Sequence, residues 1–410
     1  MTDPDKLEIP LKSPRPSSFQ QRNRRDRLLI SLTVALVLLA WFYGYFTSGI
    51  DVAPLVTEVI PTADRIEPRG QLFIGLDADD RIVGYAATGQ APGYGGPIEI
   101  LVGVDRQGQI LGVKIISQRE SPGFFRLVEN DDLMGQYSGL AVTAPLQLGH
   151  DLDAVTGATV SAEGVVNAVN VAVREIAAAG LNIELPPRRR SIQFGLPEIV
   201  LISLFVAGYF AHKLRRPLWK RRMRWATLLT GMVVLGFIYT APFTITMVVS
   251  LLSGYWPDWH NNLYWYLLLG GIIFVTTVDA KNPYCHWFCP FGAFQECLAT
   301  ISGAKPYRPR ALSHYLTWIQ RGLALGAVIL GLAFRSPGVA GYEPFATLFD
   351  FRGTTVQWIF LAVIILSSFA VYRPFCSYLC PLDAVVDFIA TGRRWLKEIW
   401  KKWRHRPAKA

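Results

Sequence analysis

The stretch RNRRDRLLISLTVALVLLAWFYGYF, residues 22–46, sets the reading of the whole chain: arginines at 22, 24, 25 and 27 precede an apolar run, Leu28–Phe46, without one charged residue. A helix rises about 1.5 Å per residue, so roughly 20 residues match a hydrocarbon core about 30 Å thick. The basic flank resembles the n-region of a signal peptide. The apolar run is too long for a simple h-region and no small-residue cleavage site follows at once, so a retained anchor is expected. Working outward, comparable apolar stretches recur near 194–212, 227–252, 263–279, 315–334 and 355–372. With 51% hydrophobic residues, a membrane protein is expected, with a six-helix α transmembrane region.

Charge supports the same division. The net charge of +10 would suit nucleic acid, but residues 47–192 hold 11 Lys/Arg against 18 Asp/Glu, a net −7, leaving +17 on the remainder. The positive excess lies beside apolar runs, which is a topology signal and excludes a nucleic-acid face. The positive-inside rule places the N-terminus in the cytoplasm. The loop 213–224, with Lys213, Arg215, Arg216, Lys220, Arg221, Arg222 and Arg224, and the basic tail after 392 then fall inside as required. Arg188, Arg189 and Arg190 fall outside, against the rule, and are outweighed by the inner clusters. The expected organisation is a cytoplasmic basic tail (1–27), an anchor (28–46), a periplasmic domain (47–192), a five-helix transmembrane domain (193–392) and a cytoplasmic basic tail (393–410), in a bacterial inner membrane.

Within 47–192, Gln71–Leu76, Arg81–Ala87, Ile98–Val104 and Ile110–Ile116 read as strands separated by Asp/Gly turns, and Ser161–Ala179 reads as a helix. A small α+β domain inserted after the first transmembrane helix is expected. At the mouth of that helix stands Asp153-Ala154-Val155-Thr156-Gly157-Ala158-Thr159-Val160-Ser161. Small residues, hydroxyls and a helix N-terminus suit a phosphate; spacing alone serves an ordinary N-cap equally well.

This segment resembles the flavinylation motif of the FMN-binding domain family, found in subunits of sodium-pumping NADH:quinone oxidoreductase and of Rnf complexes. The resemblance implies FMN attached through a phosphoester to Thr159 by a flavin transferase acting outside the cytoplasm. Asp153, Thr156, Gly157, Ala158 and Ser161 make up the rest of the motif. Gly93-Tyr94-Gly95-Gly96-Pro97-Ile98 resembles the family's glycine-rich segment, and Glu120-Ser121-Pro122-Gly123 its Glu-Thr-Pro-Gly turn, with Ser121 departing. Gly96, Glu120, Pro122 and Gly123 are therefore implied as cofactor-binding residues.

All five cysteines lie outside that domain, and four form a repeat. Pro283-Tyr284-Cys285-His286-Trp287-Phe288-Cys289-Pro290 returns as Pro374-Phe375-Cys376-Ser377-Tyr378-Leu379-Cys380-Pro381, offset by 91 residues. Each copy follows an apolar span at its expected cytoplasmic end, where disulfides are disfavoured. Cys285, Cys289, Cys376 and Cys380 could hold an Fe–S cluster, act as a redox dithiol pair, bind zinc, or pack as buried thiols. Cys297 reads as packing. The combination of an N-terminal anchor, an external FMN domain, five further spans and two Cys-x-x-x-Cys-Pro motifs resembles the NosR/NirI family and the shorter PceC-type proteins over residues 28–392. The PceC-like layout is the closer, since residues 393–410 are Lys-, Arg- and Trp-rich where NosR-type proteins continue into ferredoxin-type motifs.

Weaker candidates lie between the two motifs. His212, His286 and His314 could ligate a haem or line a quinone pocket, and more often such histidines cap helices. Arg321 and Glu198 stand close enough to helix ends to snorkel. The loop Gly341–Phe351, with Tyr342, Phe345, Phe349 and Phe351, is expected outside, docking the flavin domain or forming an aromatic belt. The function expected is an electron-transfer flavoprotein linking the quinone pool, or a cytoplasmic-side reductant, to a periplasmic reductase or electron carrier through an Fe–S site and FMN, with quinol oxidation as one activity. A redox-sensing regulatory or maturation protein for a periplasmic reductase, and a copper or iron transporter or reductase, are the alternatives.

Overall fold

A computed structural model describes residues 19–47, 52–93, 96–120, 122–153, 155, 159–186, 192, 194–213, 215–257, 259–260, 262–279, 284–305, 313–351 and 353–404. Helix α1 (Phe19–Thr47) leads into a short α2 (Ala53–Val59) and a five-stranded antiparallel meander, β1 (Arg65–Arg69), β2 (Leu72–Leu76), β3 (Ile82–Pro92), β4 (Pro97–Asp105) and β5 (Ile110–Gln118), ordered as in the sequence. Helices α3 (Pro122–Asn130) and α4 (Thr159–Glu175) follow, the latter closing in a π-turn over Ile176–Gly180. The four expected strands are present as β2 to β5. The sequence reading missed β1, whose Pro68 and three charged residues mark an edge strand, where a missing N–H costs nothing.

Both faces of this sheet are covered, which is why β4 reads as a continuous apolar run and not as an alternation. On one face Val165, Ala168, Val169 and Ala172 of α4 join Ile98, Ile100 and Val102 in the main core; on the other, Val56, Val59 and Ile60 pack on Ala86 and Leu101. Each of the larger α4 side chains, wholly buried, contributes about 1.5–3 kcal/mol. Helix α4 is thereby clamped to the sheet, and its N-terminus is fixed in space.

Tyr137 is fully buried in the same core, and that burial raises its phenol well above its ordinary pKa. The folded state therefore favours the protonated phenol. Its contribution is complete below about pH 10, the unfolded value, and is lost as pH rises beyond it. Cleavage of residues 97–118 in the full chain by an alkaline protease is expected to accelerate above about pH 10, and Tyr137→Phe to flatten that rise.

The rest of the chain is helical: α5 (Leu196–Lys213), α6 (Pro217–Thr230), α7 (Ile245–Ser253), α8 (Leu263–Asp279), α9 (Pro290–Ser302), α10 (Ser313–Ala333), α11 (Pro337–Ala340), α12 (Phe345–Phe349), α13 (Thr355–Ala370), α14 (Pro374–Tyr378) and α15 (Pro381–Arg404). Arg27–Thr47 and His314–Ala333 are long and apolar enough to cross a membrane, and Leu196–Ala211, Leu263–Thr277 and Thr355–Ala370 are shorter apolar helices. All five lie where apolar spans were expected, two of them long enough to cross a membrane. The remaining one, 227–252, is not a single helix: α6 passes into a π-helical stretch, Gly231–Ile238, and the chain breaks before α7. Thr240 takes φ 45° there, and Pro242 lacks an N–H and restricts the residue before it. Hydropathy averages across such a break without registering it. Helix α1 packs on α10 through Gly44, where a Cβ would stand 2.2 Å from Leu332 O; only a glycine allows that approach.

Candidate functional site

Two sites build up from these elements. In the first, three segments far apart in sequence meet beside the start of α4. Glu120, buried after β5, accepts a hydrogen bond from Ser161 Oγ at 2.7 Å and one from Gly96 N–H at 3.3 Å. The turn between β3 and β4 is closed by Gly93 N–H on Gly96 O at 2.8 Å. A Cβ on Gly93 would stand 2.1 Å from Glu120 Oε1, and one on Gly96 2.4 Å from Arg119 O. The carboxylate thus ties turn, strand end and helix together, and glycines are required at that approach.

Thr159 is the first residue of α4, and Pro122 and Gly123 open α3. Thr156, Gly157 and Ala158 lie outside the described residues, as do Tyr94, Gly95 and Ser121. Asp153 is exposed, and its N–H bonds Gln136 Oε1 at 2.8 Å. A phosphate finds here what it needs: a helix N-terminus held rigidly next to a glycine turn.

The second site is the pair of cysteine hairpins. In the first copy Cys289 N–H bonds Tyr284 O at 2.8 Å; in the second Cys380 N–H bonds Phe375 O at 2.9 Å. The same five-residue closure in both makes the repeat structural as well as sequential. Each hairpin delivers its last cysteine to the start of a helix, α9 or α15, that opens on proline. Backbone N–H groups of Gly292 and Phe291 point at the Cys289 sulfur, and that of Asp383 at Cys380.

The two copies are locked together by α9. Gln295 donates to Cys376 Sγ at 3.3 Å and accepts from Phe375 N–H at 3.1 Å. Glu296 pairs with Arg373, whose Nη1 reaches Cys285 O at 3.1 Å. From α10, Gln320 donates to Cys380 O at 2.9 Å and to Cys376 O at 3.4 Å. Cys380 lies within electrostatic reach of Cys376, Cys285 and Cys289.

Among the described residues no three His, Cys, Asp or Glu side chains converge closely enough to hold a single metal ion. A 4Fe–4S cluster takes four cysteine thiolates, and Cys285, Cys289, Cys376 and Cys380 would supply that donor set. His314 Nε2 takes the Trp318 N–H at 3.1 Å, the structural role expected of most such histidines. The His212 side chain lies outside the described residues. Arg321 pairs with Asp387, and Glu198 accepts from Gly195 N–H at 2.8 Å at the start of its own helix; neither reaches the cysteines.

The aromatic loop lies against the cysteine hairpins. Tyr342 donates to Leu379 O at 2.8 Å, and the Phe345 ring lies 5.0 Å from Phe291 and 6.0 Å from Phe375. The hairpins fold back into the bundle, as their bond to Gln320, about 10 Å along α10, also requires, and the loop dips in to meet them. The flavin domain is touched instead by the residues just before it. Arg119 bonds Phe334 O, and a Cβ on Gly338 would stand 3.2 Å from both Arg119 O and Glu120 O.

Comparison with known proteins matches each site to a family. The FMN-binding domain family matches residues 93–174, and the 4Fe-4S binding domain family matches residues 261–309 and 355–402. Protein NirI of Paracoccus denitrificans is 30% identical over 202 residues, 45% of this chain and 29% of NirI. The regulatory protein NosR of Pseudomonas aeruginosa is 26% identical over 227 residues, 51% of this chain and 32% of NosR. The chain belongs to the NosR/NirI-type flavin and iron–sulfur proteins. It spans about a third of the length of these two relatives. One component of the ion-translocating oxidoreductase complex of Methanosarcina acetivorans is 32% identical over 136 residues, 31% of this chain and 72% of that component.

In this NosR/NirI-type chain the structure joins Gly96, Glu120 and Ser161, which sequence placed together only through motif likeness. It also adds residues the sequence reading passed over. Gln295, Glu296, Gln320 and Arg373 hold the hairpins, and the signal for them was available: a glutamine inside the apolar helix 313–333, and an arginine directly before the second motif.

Proposed function

We propose that the chain carries electrons across a membrane between a quinol or another cytoplasmic-side reductant and a periplasmic reductase or carrier, using a 4Fe–4S cluster on Cys285, Cys289, Cys376 and Cys380 and FMN esterified to Thr159. In this reading six apolar segments span the bilayer, both termini are cytoplasmic, and a flavin transferase attaches the FMN on the periplasmic side. The observation that carries it is the segment 334–349, which touches the flavin domain through Phe334 and Gly338 and the second cysteine hairpin through Tyr342. Two redox families on one chain are thereby in mechanical contact, where a hydrocarbon core of about 30 Å would otherwise separate them.

FMN exchanges electrons singly or in pairs, and a 4Fe–4S cluster one at a time. The residues of the chain position and insulate. Glu120 and Gly96 would hold the helix start that presents Thr159; Gln295 and Gln320 would hold the second hairpin against the first. Glu120→Ala, which strands Ser161 Oγ, is expected to cost the flavin domain about 1.5–3 kcal/mol and to lower the flavinylated fraction, read by in-gel flavin fluorescence against total protein.

The proposal is tested by co-expressing the chain with a flavin transferase, purifying it anaerobically and assaying iron, acid-labile sulfide and covalent flavin. Near-stoichiometric flavin and a cluster in the same molecule are expected; a chain that holds either one alone is no conduit. A second reading, a redox sensor that supports a periplasmic reductase, draws on the similarity to NosR, a regulatory protein by name. Turnover separates the two: a conduit reoxidises its flavin at the rate of the partner reductase, a sensor far more slowly.

A further inference from the structure

Beside the cysteine hairpins lies a buried ionic cluster whose positive charge exceeds what holding the hairpins together requires. Glu296 of α9 accepts from Arg224 at 2.6 and 2.8 Å and is also paired with Arg373. Arg373 is only 8% exposed, and its backbone sits at φ 49°, a conformation an arginine adopts at a cost. Buried ion pairs are poor sources of stability because desolvation offsets the attraction. This one is also unbalanced, with two guanidinium groups on one carboxylate. The Nε atoms of both arginines are buried with no acceptor among the described residues.

The excess positive charge faces the cysteines. Arg373 Nη1 donates to Cys285 O at 3.1 Å, and it lies 3.5 Å from where a Cβ of Gly292 would be, with Cys289 Cβ 3.6 Å from that same point. The repeat does not copy it. At the 91-residue offset Arg373 corresponds to Asn282, and Glu296 to Asp387, which pairs with Arg321 where both side chains are more than 40% exposed. The positive cluster therefore belongs to one side of the four-cysteine site, and four thiolates on iron form an anion that gains one more negative charge with each electron.

We infer that Arg373, held by Glu296 with Arg224 behind it, is the counter-charge of the four-cysteine site and sets its reduction potential. The inference rests on the iron–sulfur reading above. Arg373 acts as a positioning and charge-tuning residue. For charges about 6–10 Å apart at an effective dielectric of about 20, removing one unit charge shifts a one-electron equilibrium roughly tenfold to a hundredfold. That is about 60 to 120 mV at 59 mV per decade.

The test is a dithionite titration of the purified full-length chain with redox mediators, followed by EPR of the cluster. Arg373→Gln is expected to lower the midpoint by that amount, Glu296→Gln to raise it, and Arg373→Lys to leave it near the wild-type value. Opposite shifts from two variants of one ion pair are not produced by loosened packing. An unchanged midpoint in Arg373→Gln with the signal intact, shifts of the same sign in both glutamine variants, or loss of the signal in Arg373→Gln and Arg373→Lys alike would overturn the inference. Absence of any cluster signal from the wild-type chain overturns the iron–sulfur reading itself, a different and separately visible failure.

Discussion

Thr159→Ala, co-expressed with a flavin transferase, is expected to yield full-length chain with no covalently attached FMN, against near-complete attachment in the wild type. The effect is all or none because the proposed ester needs a hydroxyl at one position, the first residue of α4. Neighbouring Ser161 cannot take its place, since its Oγ is buried and bound to Glu120 at 2.7 Å. Ser161→Ala is therefore expected to keep its flavin while losing about 1.5–3 kcal/mol of domain stability, the worth of a hydrogen bond to a charged group. Intact-mass spectrometry reads both variants; an FMN adduct persisting in Thr159→Ala places the ester elsewhere.

Cys380→Ser is expected to abolish the iron–sulfur absorption and EPR signal of the chain while leaving covalent FMN in place. Cys380 is buried, stands at the start of α15 and lies within electrostatic reach of the other three thiols. A serine there would remove one of the four proposed ligands and give no soft thiolate in exchange. Cys297→Ser is the matched control. That cysteine is half-buried on α9, outside the repeat, and its loss is expected to leave the cluster intact. Equal losses in the two variants would mean that the effect is one of folding and not of ligation.

Much of the first site was legible in the sequence because its information is local. The glycines at 93 and 96, Glu120 and the hydroxyls around 159–161 each sit in short motifs, and the long-range steps are the antiparallel meander that brings β3, β4 and β5 side by side and the packing of α4 onto it. The edge strand β1 was not legible, as its charges and Pro68 suppress the strand signal while doing an edge strand's work. The helical half was legible as apolar segments and not as a path. Hydropathy ran through the break at Thr240–Pro242 and read one span where there are two helices, and it could not register that the cysteine hairpins turn back into the bundle.

That return depends on single polar residues. Gln320 offers its amide to two hairpin carbonyls, Tyr342 its hydroxyl to a third, and Gln295 and Glu296 hold the second copy to the first. Each is a hydrogen bond between residues 37 to 81 positions apart, and no periodicity encodes such a pairing. Buried polar groups demand partners, so a glutamine inside an apolar helix was the legible half of the contact. Its partner was not.

The most direct measurement of transmembrane conduction uses sealed inverted membrane vesicles, in which the proposed topology puts the cysteine side towards the medium and the flavin towards the lumen. Dithionite, a charged reductant that does not cross the bilayer, is added outside while flavin fluorescence is followed. The expected result is bleaching of the lumenal flavin in the wild type without detergent, and none in Cys380→Ser until the vesicles are opened. Flavin that stays oxidised in intact wild-type vesicles, or bleaches equally in Cys380→Ser, would contradict electron passage from the cysteine site to FMN.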